Sequence, residues 1–154
     1  MTSRNRGADV IRALLKEGNL DQVVPSLELA NRLLSEAQAN LASADTVRAM
    51  DPGGAIQLAY DAARKAATSL LAVQGLRPTT AGGHVAVQRA VYAQFVEPFG
   101  RFGRMRRRRH LQEYPTADAP TATEEDATEM INFAREAIDT ARRILASDKL
   151  RPWT

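Results

Sequence analysis

Apolar residues recur at steps of three and four in three long segments, and this spacing constrains the fold more than any other feature of the sequence. Such steps place apolar side chains along one face of an α-helix, which is stable only when it packs against another element. The segments cover about residues 26–50, 56–74 and 123–145. Their apolar positions are Leu27, Ala30, Leu34, Ala37, Leu41 and Ala44, then Ile56, Ala59, Ala63, Ala66, Leu70 and Val73, then Ala127, Met130, Ile131, Ala134, Ala137, Ile138, Ala141, Ile144 and Leu145.

The turn residues between these segments predict how the helices connect. The Asp-Pro-Gly-Gly turn at residues 51–54 is short, so the helices on either side of it should pack antiparallel. A shorter helix is predicted from residue 84, a further helical segment ends near Pro115, and a short first helix covers about residues 8–16. β-branched residues are too scattered to indicate strands. We therefore predict an all-α fold, an up-and-down antiparallel bundle of four or five helices, in a single domain over residues 1–154 with its core at about 26–145.

The composition limits which kinds of functional site the chain can form. The chain has 154 residues, enough to bury one hydrophobic core, and it has no cysteine and only two histidines. Disulfides, thiolate zinc sites and cysteine nucleophiles are excluded, and we expect neither a metal nor a cofactor. No stretch approaches the roughly 20 apolar residues that span a bilayer, and the N-terminus lacks the apolar region of a signal peptide. The sequence predicts a cytoplasmic protein without a membrane segment.

A run of arginines is the strongest functional signal. Residues 101–109 contain six arginines and no acid, so the net formal charge of +3 becomes −3 when their charges are subtracted. The run consists of Arg101, Arg104, Arg106, Arg107, Arg108 and Arg109. A guanidinium group is always charged and forks to two oxygens of a phosphate group at once. We therefore expect RNA or another phosphate-bearing ligand as the partner.

Several of these features occur together in one known family. Two long antiparallel helices, a Gly-Gly-His turn at residues 82–84 and an arginine run that ends in Glu-Tyr-Pro at 113–115 resemble the HEPN superfamily of prokaryotic helical-bundle proteins. The resemblance covers roughly residues 26–145. It implies a metal-independent endoribonuclease, marked by Arg, then four to six residues, then His. Arg104 and His110, with five residues between them, satisfy that pattern. The resemblance also implies a homodimer and a toxin opposed by an antitoxin, often a nucleotidyltransferase.

The ribonuclease interpretation assigns catalysis to Arg104 and His110. Histidine exchanges protons near neutral pH, so His110 would take the proton of a ribose 2′-hydroxyl, while Arg104 would stabilise charge on the phosphate and leave a 2′,3′-cyclic product. On a regular helix, however, these two residues lie about 120° apart. Arg106 and Arg107 are the neighbours of His110 on such a helix. Either the helix is irregular near Gly103, or another arginine faces His110.

A second interpretation is a non-catalytic HEPN module. The resemblance then implies that Arg109, Glu113 and Tyr114 form the retained part of the segment. Glu113 would make a helical ion pair with Arg109, and Tyr114 would cap the segment against the bundle. The other arginines would bind nucleic acid, a nucleotide or a nucleotidyltransferase.

A third interpretation is an unrelated helical interaction domain in which the arginine run is a solvated face. Acidic side chains that follow the run in sequence would fold back to neutralise it, and they are Asp118, Glu124, Glu125, Asp126 and Glu129. We also expect His84 to cap a helix N-terminus rather than to react, and Tyr60 and Tyr92 to lie in the core. Trp153 either anchors the C-terminal tail or faces a partner.

Overall fold

The computed structural model describes residues 6–154, which form a helical bundle with one small β-ribbon. The predicted all-α class is confirmed; the described residues form six α-helices, which match the six helical segments indicated by the sequence, the short first helix included. The elements in chain order are α1 (Ala8–Lys16), β1 (Leu20–Gln22), α2 (Leu27–Val47), α3 (Pro52–Gln74), β2 (Leu76–Pro78), α4 (Gly83–Phe95), a 3-10 turn (Phe99–Arg101), α5 (Phe102–Glu113) and α6 (Glu124–Ala146). Over this range no helix is both long and apolar enough to cross a membrane.

The ends of the long helices follow the sequence signals. Asp51 caps α3 by accepting a hydrogen bond from the backbone N–H of Gly54, and Gly75 ends that helix in the left-handed conformation with φ of +75°. Thr123 and Asp126 form a reciprocal capping box at the start of α6. These local signals explain why the boundaries of the long helices are close to those predicted.

Helix α3 is the centre of the bundle and packs against α2 and α6 along their lengths. Its alanines are buried, which lets the neighbouring helices approach closely. Tyr60 on α3 is fully buried, as predicted. The prediction for Tyr92 is wrong, because this side chain lies on the outer face of α4 and is 50% exposed.

The β-ribbon was not predicted. Strands β1 and β2 pair antiparallel with Leu20 opposite Pro78 and Gln22 opposite Leu76. Each strand has only three residues, too few to show a period of two. The ribbon joins the segment after α1 to the segment after α3, and thereby leads the chain into the start of α4.

Helix α5 carries the arginine run and is anchored by two buried residues, Phe102 and Met105. Gly103 is also buried, and a Cβ atom there would lie 2.8 Å from the Nε2 atom of Gln88 on α4. The Gln88 side chain therefore lies directly over this glycine. The helix is continuous from Phe102 to Glu113, so the irregularity considered near Gly103 does not occur.

The C-terminal tail folds back onto the bundle. The backbone N–H of Trp153 donates to the carbonyl oxygen of Gln74 at 2.8 Å, and the Gln22 amide donates to the carbonyl oxygen of Trp153 at 3.0 Å. The Trp153 side chain packs against the hydrophobic core. Of the two roles considered for this residue, it anchors the tail.

Candidate phosphate-binding site

One side of the arginine run faces α6 and is neutralised there. Arg104 Nη2 lies 2.5 Å from Glu129 Oε1, and Arg108 Nη1 lies 2.7 Å from Glu129 Oε2. Arg101, in the 3-10 turn, pairs with Glu136. We call Arg101, Arg104 and Arg108 the α6-facing arginines. The hydrogen bond from Arg108 lowers the pKa of the Glu129 carboxyl below its ordinary value, with the charges of both arginines adding to the effect.

The acids that neutralise this side are only partly those predicted. Among residues 6–154, Glu129 is the one member of the predicted set that pairs with the run. Glu124 pairs instead with Arg48, at 3.6 Å between Oε1 and Nε, and Asp126 belongs to the capping box. Glu136 was not predicted, because it lies two turns further along α6 than Glu129.

The side of α5 that turns towards α4 keeps its charge. Arg106 Nε donates only to a neutral group, the Gln88 side-chain oxygen at 3.4 Å. Arg107 is exposed and has no ion pair within the part of the chain that the structure describes. His110, one turn further on, is exposed, and its ring centroid lies 5.0 Å from that of Tyr114. We call Arg106, Arg107 and His110 the α4-side surface.

The structure does not bring Arg104 and His110 together within one chain. The Arg104 guanidinium reaches Glu129 on α6, whereas the His110 ring packs beside Tyr114. Because α5 is a regular helix here, the two side chains leave it about 120° apart. Arg106 and Arg107 share the side of the helix that carries His110.

Arg109 has the predicted helical partner. Its Nη1 lies 2.5 Å from Glu113 Oε2, and its Cζ lies 5.8 Å from the centroid of the Tyr60 ring. Tyr114 does not cap α5 against the bundle as predicted. The backbone leaves the helix after Glu113, so the Tyr114 side chain is 61% exposed and contacts His110 instead.

His84 occupies a more structured position than His110. It lies in the first turn of α4, where no side chain caps the helix, so the predicted capping role is wrong. Its Nδ1 lies 3.0 Å from the Tyr60 hydroxyl oxygen, and its ring stacks on the Tyr60 ring with centroids 5.5 Å apart and 12° between the planes. Burial lowers the pKa of His84 below its ordinary value, and the nearby charges of Arg64 and Arg109 lower it further.

Sequence patterns did not point to the cluster around His84. Tyr60 and Arg64 stand one turn apart on α3, and this spacing alone was available in the sequence. The contact with His84 depends on the β-ribbon, which was not predicted. The cluster is therefore a product of tertiary packing.

Comparison with known proteins agrees with the fold. A family model described as the HEPN domain matches residues 26–144, which is most of the chain. Neither the curated proteins nor the solved structures give a match. The range of the family match is nearly the range over which the sequence resembles this family.

Proposed function

The chain belongs to the HEPN domain family, and on that basis we propose that it binds RNA phosphates through the α4-side surface. The observation that supports this proposal is that some arginines of the run have carboxylate partners and others do not. The α6-facing arginines have carboxylate partners, and Arg109 has Glu113. Arg106 and Arg107 have none among residues 6–154, and each lies one helical turn from His110.

The difference between the two sides is electrostatic. A phosphate approaching the α6-facing arginines must compete with Glu129 and Glu136, which already occupy hydrogen-bonding edges of the guanidinium groups. On the α4-side surface a phosphate would replace only water and one amide oxygen. Charge-assisted hydrogen bonds to phosphate are about twice as strong as bonds between neutral groups. The free energy of binding therefore favours the α4-side surface.

Paired charge-matched variants test this proposal. We expect Arg106→Gln with Arg107→Gln to weaken retention of a single-stranded RNA and to reduce its dependence on salt. The slope of the logarithm of affinity against the logarithm of salt concentration should fall by about 0.7 for each phosphate group that the variant no longer binds. Arg101→Gln with Arg104→Gln removes the same charge and should change the slope little. Equal weakening in the two double variants would contradict the proposal.

A metal-independent endoribonuclease is the second candidate, and one observation favours it. His110 is exposed and has two guanidinium groups without carboxylate partners on its own side of α5, at three and four residues before it. His110 would take the proton of a ribose 2′-hydroxyl, whose oxygen would attack the adjacent phosphorus. The 5′ oxygen of the next nucleotide would leave with that proton, returned by His110, giving a 2′,3′-cyclic phosphate and a 5′-hydroxyl. Arg106 and Arg107 would stabilise the charge on the phosphate.

Arg104 has a catalytic role only if a second copy of the chain supplies its histidine. Within one chain the guanidinium of Arg104 is held by Glu129, on a different side of α5 from His110. A homodimer in which the two α5 helices face each other would place Arg104 of one copy near His110 of the other. This arrangement predicts that a mixture of Arg104→Ala and His110→Ala chains recovers a fraction of the activity that both variants lack alone. No recovery would exclude it.

Incubation of labelled RNA with purified protein in EDTA tests the ribonuclease candidate. Cleavage with cyclic phosphate ends, lost in His110→Ala and kept in Leu111→Ala, would support it. The second variant is a matched control because it truncates an exposed side chain at the adjacent position of the same helix. Salt-sensitive RNA retention without cleavage would instead support a binding module.

A toxin with an antitoxin partner follows only from the ribonuclease candidate. An antitoxin, such as a nucleotidyltransferase, would block the α4-side surface and keep RNA away from His110. Expression of the chain alone should then arrest growth, and His110→Ala should relieve the arrest. Arrest that persists in this variant would count against the toxin role.

A further inference from the structure

We propose that Tyr60, Arg64, His84 and Arg109 form a second anion site, at the junction of α3, α4 and α5, that binds the oxygens of a phosphate group. We call these four residues the junction cluster. They differ from the residues of the α4-side surface, so this proposal does not rest on the proposed function. No residue of the cluster takes part in the candidate mechanism at His110.

The hydrogen bond between Tyr60 and His84 determines which nitrogen of the imidazole can donate a hydrogen bond to a ligand. Burial raises the pKa of the Tyr60 hydroxyl, which therefore keeps its proton. Its hydrogen-bond partner is Nδ1 of His84 at 3.0 Å. A buried hydroxyl is satisfied when it donates, so Nδ1 accepts and the proton of the neutral ring resides on Nε2. His84 thus presents an N–H donor, and the Tyr60 ring stacked on it holds that donor in place.

Two guanidinium groups beside this pair have donors without acceptors. Nε of Arg109 and Nε of Arg64 are buried and make no hydrogen bond within the described residues. The Arg109 pair with Glu113 uses Nη1, and the Arg64 Nε lies 3.8 Å from Asp61 Oδ1, too far for a hydrogen bond. A buried donor left without an acceptor costs free energy. A phosphate oxygen would remove that cost once the two side chains turn these atoms towards it.

The charges around His84 favour an anion. From α3 the ring faces Arg64 and Asp61, and from α5 it faces Arg106 and Arg109. Three positive groups therefore stand against two carboxylates, Asp61 and the Glu113 partner of Arg109. The positive N-terminal end of α4 adds to this field, because His84 lies in its first turn. Phosphate oxygens accept hydrogen bonds, so they match the N–H donors of this cluster.

The β-ribbon fixes the position of His84 within the junction cluster. Thr79 follows β2, and its hydroxyl oxygen accepts a hydrogen bond from the backbone N–H of Gly82 at 3.0 Å. A Cβ atom at Gly82 would lie 2.2 Å from the carbonyl oxygen of Asn19, so the chain passes where only glycine fits. The start of α4, and His84 with it, is thereby fixed against the bundle before any ligand binds. Such preorganisation lowers the entropic cost of binding.

Proton NMR of the imidazole rings tests the site directly. The chain has two histidines, so His110→Asn assigns the remaining imidazole signals to His84. The full chain would be titrated with inorganic phosphate at constant ionic strength, with chloride as the reference anion. Adenosine 5′-monophosphate and a short RNA without a terminal phosphate would then distinguish a terminal phosphate from an internal phosphodiester as the source of the group.

We expect a saturable shift of the His84 signals with phosphate, together with a rise of the His84 pKa, because a bound anion favours the imidazolium. Arg109→Gln should weaken this binding by about tenfold or more, since a charge-assisted hydrogen bond is lost. Arg108→Gln removes the same charge from the adjacent position, on the side of α5 that faces α6 rather than His84, and should change the affinity by less than about twofold. Tyr60→Phe keeps the buried ring and should also weaken binding, because His84 loses the partner that fixes its tautomer.

The proposal is overturned if none of the three probes shifts the His84 signals saturably. It is also overturned if Arg108→Gln and Arg109→Gln lose affinity equally, since that result would indicate general attraction to the run. Circular dichroism and thermal unfolding identify a variant that fails to fold. If Arg109→Gln fails to fold, Tyr60→Phe becomes the test, and an unchanged affinity for phosphate in that variant overturns the proposal. Inorganic phosphate and adenosine 5′-monophosphate contain no RNA chain, so a saturable His84 shift with these two probes separates this proposal from RNA retention by the α4-side surface, whose Arg106 also lies near His84.

Discussion

The two sides of α5 carry the same residue type in very different surroundings. On the α6 side, Arg104 and Arg108 share one carboxylate, Glu129. On the α4 side, Arg106 meets a neutral amide and Arg107 meets no carboxylate within the described residues. The comparison shows that the number of arginines in a run does not give the number that lack a carboxylate partner. The acids that the neighbouring helix presents decide which arginines remain available.

The strongest test of the comparison removes the anchor that holds both sides in place. Phe102 is fully buried and contacts the rings of Tyr60 and Phe133 edge-on, with centroids 5.6 and 5.5 Å away. Phe102→Ala should cost about 3–5 kcal/mol of the free energy of unfolding and abolish the difference between the sides. Denaturant unfolding measures this cost. Leu111→Ala, on the same helix but exposed, should cost less than about 0.5 kcal/mol, and similar losses in both would contradict the packing described.

A second test disturbs only the side near α4. Gly82→Ala places a methyl group against the Asn19 carbonyl, and the resulting strain should cost about 1–3 kcal/mol. It should also displace His84 from Tyr60 while leaving the pairs with Glu129 intact. Gly53→Ala is the matched control, because its methyl group would meet the flexible end of Gln112 at 3.2 Å and would make an ordinary contact with Asp51 Oδ1 at 3.9 Å. If Gly82→Ala is tolerated as well as the control, the β-ribbon does not position α4 as described.

A third test removes the carboxylate that neutralises two arginines on the α6 side. Glu129→Gln releases Arg104 and Arg108 and should cost only about 0–1 kcal/mol, because the pairs are partly exposed. RNA retention should become tighter and more dependent on salt. Glu125→Gln makes the same charge change at an exposed position of α6 and should give a smaller increase. Equal increases in the two variants would mean that pairing with Glu129 does not restrain the arginines.

The smallest expected effect is a dependence of stability on pH that comes from one histidine. The folded-state pKa of His84 lies below its ordinary value of 6.5, so the unfolded chain takes up a proton at a higher pH than the folded chain. The stabilising contribution is therefore complete above pH 6.5 and is lost as the pH falls below that value. Unfolding midpoints measured from about pH 7.5 down to about 5.5 should decline in the wild type and in His110→Asn, because this range spans the ordinary histidine pKa. A decline of the same size in His84→Asn would show that another group is responsible.

Much of the fold was predictable because its signals are local. The apolar spacing of α2, α3 and α6 and the capping box at Thr123 each lie within one element, so the sequence alone is sufficient to recognise them. The β-ribbon was not predictable, since each three-residue strand is defined by its partner across more than 50 residues rather than by its own pattern. The exposure of Tyr92 likewise depends on which side of α4 meets the bundle.

The candidate site was predictable only where helix geometry decides it. The angular argument already separated Arg104 from His110 and favoured Arg106 and Arg107, and the regular helix α5 agrees with it. Which arginines would be neutralised depended on the register between α5 and α6, which no local pattern specifies. The contact of Tyr60 with His84 joins α3 to α4 and depends on the same kind of long-range packing.

Protection of individual arginines from chemical modification tests the central claim most directly. The unaltered protein would be treated with an arginine-selective glyoxal reagent, with and without RNA, and the modified positions would be read by mass spectrometry. Arg104 is a suitable internal reference because more than half of its side chain is exposed in the free protein. The account predicts that RNA protects Arg106 and Arg107 and leaves Arg101 and Arg104 as reactive as before. Protection centred on Arg101 and Arg104, or equal protection along the whole run, would contradict it.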